Sequence, residues 1–136
     1  MKILVVDGQG GGIGKALIEK LKKSVPETCE IIAVGTNSIA TAAMIKAGAD
    51  SGATGENAVI YNSSRVDIIA GSIGIIAANS IMGELSPSMA SAISSSDAVK
   101  VLIPLNRCNI RVAGTSSDQI PARIDDAVSI IMEMLK

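Results

Sequence analysis

Apolar residues along this chain fall in short unbroken runs, and between the runs they recur at helical spacing. Lys2–Val6, Glu30–Val34, Ala58–Tyr61, Val66–Ala70, Val99–Ile103 and Ile110–Ala113 read as strands. Most are continuous in Ile, Val and Leu rather than alternating with polar residues, as strands covered on both faces of a parallel sheet should be. In the first helical segment Ile13, Leu17 and Leu21 share a face, joined by Ile18. The second starts after Asn37-Ser38, which suit a helix cap, and ends at Gly48. A third is expected over Ile73–Glu84, broken near Gly83. A new helix begins at Ser86-Pro87, with Ser as the cap and Pro in the first turn. The last runs from Pro121 to the C-terminus, with Ile124, Ala127, Val128 and Ile131 at helical spacing.

The resulting order is β-α-β-α-β-β-α-β-β-α, and strand–helix alternation of this kind implies right-handed crossovers. The reading is a single α/β domain over residues 1–136: a three-layer, Rossmann-like, doubly wound and mostly parallel sheet. The link from Tyr61 to Val66 is too short for a crossover helix, so it reads as one turn or a bend. The stretch from Ile73 to Met82 is apolar nearly all round. A helix in so small a domain should have one wet face, so this one is either unusually enclosed or lies at a subunit interface, and a homodimer or higher homo-oligomer is expected.

Composition narrows the chemistry. Hydrophobic residues make up 48% and mean hydropathy is +0.44, yet Gly, Asn and Ser interrupt every apolar run before it reaches a membrane span. The opening Met1-Lys2 leads into a strand too short for a signal-peptide core, so a cytoplasmic protein without a membrane partner is expected. Net charge is −1, and Lys15, Glu19, Lys20, Lys22 and Lys23 of the first helix read as a solvated face, which argues against a nucleic-acid partner. Tyr61 is the sole aromatic residue, so no base-stacking platform exists. There is no histidine, and Cys29 and Cys108 lack metal-ligand spacing. A histidine-dependent triad and a transition-metal site are thereby disfavoured, leaving oxygen-ligated magnesium as the one open metal chemistry.

The first strand leads into Asp7-Gly8-Gln9-Gly10-Gly11-Gly12-Ile13-Gly14-Lys15. The dinucleotide fingerprint G-x-G-x-x-G fails in every register, because it would need Gly at Ile13, Lys15 or Leu17. The P-loop fails too, since Gly14-Lys15 would require Gly at Gln9 and Ser or Thr at Ala16. What fits is G-x-x-x-G-I-G at Gly8, Gly12, Ile13 and Gly14. This spacing resembles the glycine loop of the short-chain dehydrogenase/reductase family, with Asp7 where that family has Thr. The resemblance implies a loop that wraps the pyrophosphate and adenosine ribose of NAD or NADP, its amides and the helix N-terminus forming an anion site. It extends over roughly the first half of the chain. Thr36 and Asn37 stand at the distance of the residue that reads the adenosine ribose, and Gly71 and Ser72 follow a strand that would flank the cofactor. The reductase catalytic Tyr-x-x-x-Lys is missing. Tyr61 and Arg65 give only Tyr-x-x-x-Arg, and arginine cannot relay a proton. They read as surface residues at a strand end. Asp7 would repel a pyrophosphate unless it caps loop amides or shares a magnesium ion.

Nearly the full length is similar to a small bacterial family of unassigned function, through the glycine loop, Gly35-Thr36-Asn37, Gly52-Ala53-Thr54-Gly55-Glu56-Asn57 and Pro104-Leu105-Asn106-Arg107-Cys108-Asn109. That resemblance implies a Rossmann-like protein and no activity. The last stretch follows the fifth strand, at the carboxyl edge where ligands bind. Arg107 suits a phosphate or carboxylate and Asn106 a base or ribose, or both simply connect two elements. A reactive Cys108 is disfavoured because no base is at hand. Ala53–Asn57 is expected at the amino edge as a glycine-rich turn, polar enough for a subunit contact, and Asn79 as a satisfied buried amide. The sequence therefore points to a nucleotide-binding protein, for NAD(P) or another adenine nucleotide, with candidate contacts at Gly8, Gln9, Gly10, Gly11, Gly12, Ile13, Gly14, Thr36, Asn37, Gly71, Ser72, Asn106 and Arg107. Two alternatives stand beside it: a small oxidoreductase or transferase completed by residues 106–109, and a ligand-free interaction protein whose glycines serve only the turn.

Overall fold

The computed structural model describes residues 1–107, 109–115 and 119–136. Five strands form one sheet: β1 (Lys2–Asp7), β2 (Glu30–Gly35), β3 (Ser51–Thr54), β4 (Ile68–Ser72) and β5 (Val99–Ile103). Five α-helices accompany them: α1 (Gly12–Ser24), α2 (Ser38–Lys46), α3 (Glu56–Ser63), α4 (Pro87–Ser95) and α5 (Ile120–Met134). The strand order is β3-β2-β1-β4-β5 and every pairing is parallel. The unbroken apolar run of β1 explains the three layers. Ile3 and Val5 pack with Leu17, Leu21, Met44, Ile124 and Ile131 on one face, whereas Leu4 and Val6 pack with Val59, Leu85, Met89 and Ile93 on the other. Helices α1, α2 and α5 thus cover one side, and α3 and α4 the other. At about 25 cal/mol per Å² of apolar surface, each such fully buried side chain contributes roughly 1.5–3 kcal/mol before entropy is charged against it.

Several sequence expectations are corrected. Ala58–Tyr61 lies within α3, not in a strand. Its β-prone residues do not set the outcome, because only Val59 among them reaches the core while Ile60 and Tyr61 face solvent. The short helix is held at its end by side chains returned to its own carbonyls: Asn62 Nδ2 to Ala58 O, Ser63 Oγ to Val59 O and Arg65 Nη1 to Tyr61 O. This helix is itself the crossover from β3 to β4, which removes the problem of the short Tyr61–Val66 link. Ser51–Thr54, which has no apolar run, forms the edge strand β3. Its small residues fit there: a Cβ on Gly52 would lie 2.7 Å from Ile45 Cδ1 of α2. Ile110–Ala113 forms no strand.

Ile73–Glu84 is not an α-helix either. A 3-10 turn at Ile73–Ile76 leads into tight turns in which Asn79, Ile81 and Met82 have φ of 66°, 56° and 52°. A β-branched residue in that left-handed region carries strain and needs outside support. Here the support is a set of backbone bonds, Asn79 N to Leu85 O and Leu85 N to Ser80 O among them. Asn79 is exposed, not a buried amide.

Candidate functional site

In an open parallel sheet, ligands bind at the carboxyl ends of the strands, where consecutive connections depart to opposite faces. In this order that point lies between β1 and β4. A cavity of about 370 Å³ opens there. The glycine loop from Gly8 to Ile13 forms one wall, Ser72-Ile73-Gly74 another, and Ile81, Met82, Leu105, Ile110 and Ile120 supply apolar cover. Arg107 is the one cationic side chain among the described residues that line it, and Asp7 sits on its floor.

The five loop glycines divide into two groups. Gly8, Gly11 and Gly14 are buried. A Cβ on Gly8 would lie 2.7 Å from Thr36 Oγ1, one on Gly11 2.9 Å from Ala40 Cα, and one on Gly14 2.5 Å from Met44 Sδ and 3.0 Å from Asp7 Cβ. Gly11 also has φ of 74°, where only glycine is unstrained. Packing accounts for these three. Gly10 and Gly12 are exposed, and a Cβ on either would meet nothing within 4 Å. Their lack of a side chain leaves backbone open toward the cavity.

Asp7 settles its own place in the loop. Its Oδ1 accepts the Gly8 amide at 2.8 Å and its Oδ2 the Gly14 amide at 2.6 Å. Burial, with the nearby Glu84 charge, pushes the carboxyl above the usual aspartate range, and the Gly14, Gly8 and Ile13 amides pull against that shift. The carboxylate therefore serves as an internal anion at the start of α1. Lys15 N is also used, bonding to Gly11 O at 2.8 Å. Of the first-turn amides of residues 12–15, those of Ile13 and Gly14 turn toward the Asp7 carboxylate and that of Lys15 meets Gly11 O, which leaves Gly12 as the donor that these bonds do not use.

Thr36 and Asn37, at the end of β2, do not line the cavity. They meet Glu84 instead, a residue that no motif marks for a role. Glu84 Oε1 accepts from Thr36 Oγ1 at 2.6 Å, Asn37 Nδ2 at 2.8 Å and Gln9 N at 2.9 Å. The Thr36 hydroxyl, followed by the Gln9 amide, holds this carboxyl below the usual glutamate range. Asn37 also caps α2, its side chain accepting from Ala40 N at 2.9 Å, as its place before the helix predicts. No local pattern could have shown a contact spanning 48 residues between Thr36 and Glu84.

Among the other candidates, Ser72 lines the cavity while Gly71 is buried beneath it, where a Cβ would lie 2.6 Å from Val6 O. Asn106 turns away from the cavity and accepts from Val112 N at 3.0 Å, which braces the loop that carries Arg107. Cys108 lies outside the described residues. Thr54 and Glu56 fall at the carboxyl edge of the sheet rather than the amino edge, since Thr54 pairs with Gly35 at the end of β2. Tyr61 and Arg65 are surface residues, as expected, but Tyr61 lies on α3 and Arg65 just past its end, with the guanidinium 3.8 Å above the ring. A larger cavity of about 570 Å³ lies between β5 and α5, with no residue of the glycine loop in its wall. Among the described residues no helix is long and apolar enough to cross a membrane, and no cluster of three potential metal ligands occurs.

Known structures agree on the architecture. A dodecameric FMN-dependent UbiX-like decarboxylase from Escherichia coli O157:H7 aligns with 99% of this chain and 94% of its own, at a TM-score of 0.52 and 17% identity. The crystal structure of AibC aligns with 97% of this chain and 39% of its own, at a TM-score of 0.53 and 13% identity. At such identities the likeness is one of fold: a three-layer α/β sheet of Rossmann type. No curated protein sequence matches the chain. A family model does match, over residues 2–136, and the chain belongs to that family, described as a domain of unknown function (DUF3842).

Proposed function

We propose that this protein binds a nucleotide-type ligand in the cavity between β1 and β4. A phosphate lies against the Gly10 and Gly12 amides and the Arg107 guanidinium, and the ring lies against Ile73, Ile81 and Leu105. The observation that carries this reading is the division of the glycines. Three are consumed by packing, and the two that packing does not require, Gly10 and Gly12, face the cavity. Glycine lets a ligand approach backbone amides closely, and a guanidinium matches phosphate geometry. NAD, NADP and other adenine nucleotides remain candidates. FMN joins them because the Escherichia coli structure of like fold is described as FMN-dependent. The same reading includes self-association, since Ile76 and Met82 leave apolar surface exposed in the segment that follows β4. Native mass spectrometry reads that directly, and a monomer at micromolar concentration would refute it.

A thermal-shift panel of NAD, NADP, ATP, AMP and FMN tests the ligand. At least one should raise Tm, because a ligand at a hundred times its Kd stabilises by about 2.7 kcal/mol. Arg107→Ala, at an exposed position, should weaken that ligand about tenfold or more, as loss of a charge-assisted bond implies. No stabilisation by any member refutes the reading. Asp7 favours a second one, a ligand-free interaction protein, because it already neutralises the start of α1. A silent panel is what that alternative predicts.

A further inference from the structure

The proposed site has two arms, and one of them is closed. In a sheet of this order a dinucleotide spans from the first glycine loop to the end of β2, where an acid usually takes the ribose hydroxyls. Here the end of β2 is already satisfied from within the chain. The Thr36 hydroxyl and the Asn37 amide both donate to Glu84 Oε1, and the Gln9 amide donates to the same oxygen. The turn that carries Glu84 also lies close above the loop. A single added carbon at Gly8 would come within 2.9 Å of Ile81 Cγ2 and 3.0 Å of Glu84 Oε1. No ligand atom can pass over Gly8 while this turn stays in place.

Charge points the same way. A pyrophosphate bridging the two arms would run past Gly8 and Gln9, between the Asp7 and Glu84 carboxylates, which already interact unfavourably with each other. A lone phosphate on the far side, at Gly10, Gly12 and Arg107, avoids that repulsion. The open arm is small as well: about 370 Å³ lies near the lower end of the roughly 300–1,000 Å³ typical of ligand pockets.

Resting on the nucleotide-binding reading, we propose that Glu84 and the turn from Asn79 to Leu85 restrict the site to one nucleotide, so that the ligand class is the mononucleotide and not the dinucleotide. Glu84 is the specificity-determining residue. It acts by holding the turn over Gly8 through Gln9, Thr36 and Asn37, not by touching the ligand.

Isothermal titration calorimetry of the full chain with two matched pairs tests this: FMN against FAD, and AMP against NAD. In each pair the dinucleotide contains the mononucleotide, so the ratio of affinities isolates the second arm. At least one mononucleotide should bind tenfold or more tighter than its dinucleotide. Glu84→Ala should shrink that ratio by admitting the dinucleotide. Glu84→Gln, which keeps an acceptor but loses the charge, should fall between, with circular dichroism confirming that both variants fold. A dinucleotide that binds as tightly as its half overturns the restriction and leaves nucleotide binding standing. An unchanged ratio in a folded Glu84→Ala variant overturns the role of Glu84. Binding of none of the four overturns both readings, and the wild-type ratio decides the restriction even where a variant fails to fold.

Discussion

Two carboxylates of opposite character flank Gly8. Asp7 is buried and its desolvation outweighs the amide bonds from Gly14, Gly8 and Ile13, so its pKa stands above the usual aspartate range. Glu84 collects three donors on one oxygen with far less burial, so its pKa stands below the usual glutamate range. The two contribute to stability with opposite sign. For Asp7 the folded state holds the proton more tightly than the unfolded chain. Its contribution therefore worsens as pH rises from about 3.9, the unfolded value, through the raised folded one. For Glu84 the contribution is complete above about 4.3 and is lost as pH falls through the lowered folded value. Carbon-13 NMR of the side-chain carboxyls should show Asp7 titrating above the ordinary aspartate value and Glu84 below the ordinary glutamate value. A shift of either group in the opposite direction would contradict the burial and hydrogen bonding assigned to it. From sequence, Asp7 was recognisable as either a cap for loop amides or a magnesium ligand, because a carboxylate ahead of a glycine loop has few other uses. Glu84 was not recognisable, because its partners lie in two other segments.

At the level of elements, the junction of β1 with α1 combines close packing with open backbone. Gly14→Ala should cost about 1–3 kcal/mol, because the new methyl meets Met44 and the Asp7 carboxylate on which the loop depends. Gly12→Ala, in the first turn of α1 with free space around it, should leave the apo protein as stable or raise its stability by up to about 1 kcal/mol, while weakening the ligand. Chemical denaturation of both variants checks the contrast, and equal losses would mean that Gly12 serves packing after all. The errors of sequence reading belong to this scale too. Val59, Ile60 and Tyr61 favour a strand by local preference, yet the chain must cross the sheet there and does so as a helix. Ile73–Met82 has the apolar content of a buried helix, but its residues divide between the cavity, the core beneath α4 and solvent, and a sequence of turns serves all three where one helix face could not. Ser51–Thr54 pairs at an edge with small residues, which leave no apolar signal.

Across the whole molecule, the sheet was legible because its central strands are apolar on both faces, and only a three-layer arrangement covers both. The parallel order then places the carboxyl ends of β1 and β4 side by side, so a loop that follows the first strand meets Ser72 and Arg107 from distant parts of the chain. That convergence was readable in outline. Closure of the other arm, at the end of β2, was not. The most direct measurement is amide NMR of nitrogen-15-labelled protein during titration with FMN and, separately, AMP. Nucleotide binding between β1 and β4 predicts that at least one of them shifts Gly10, Gly12, Ile13, Ser72, Gly74 and Arg107 together and saturably, with Ala122 and Asp126 beside the second cavity unmoved. Spectra unchanged at millimolar nucleotide, or shifts centred on the groove between β5 and α5, would contradict it.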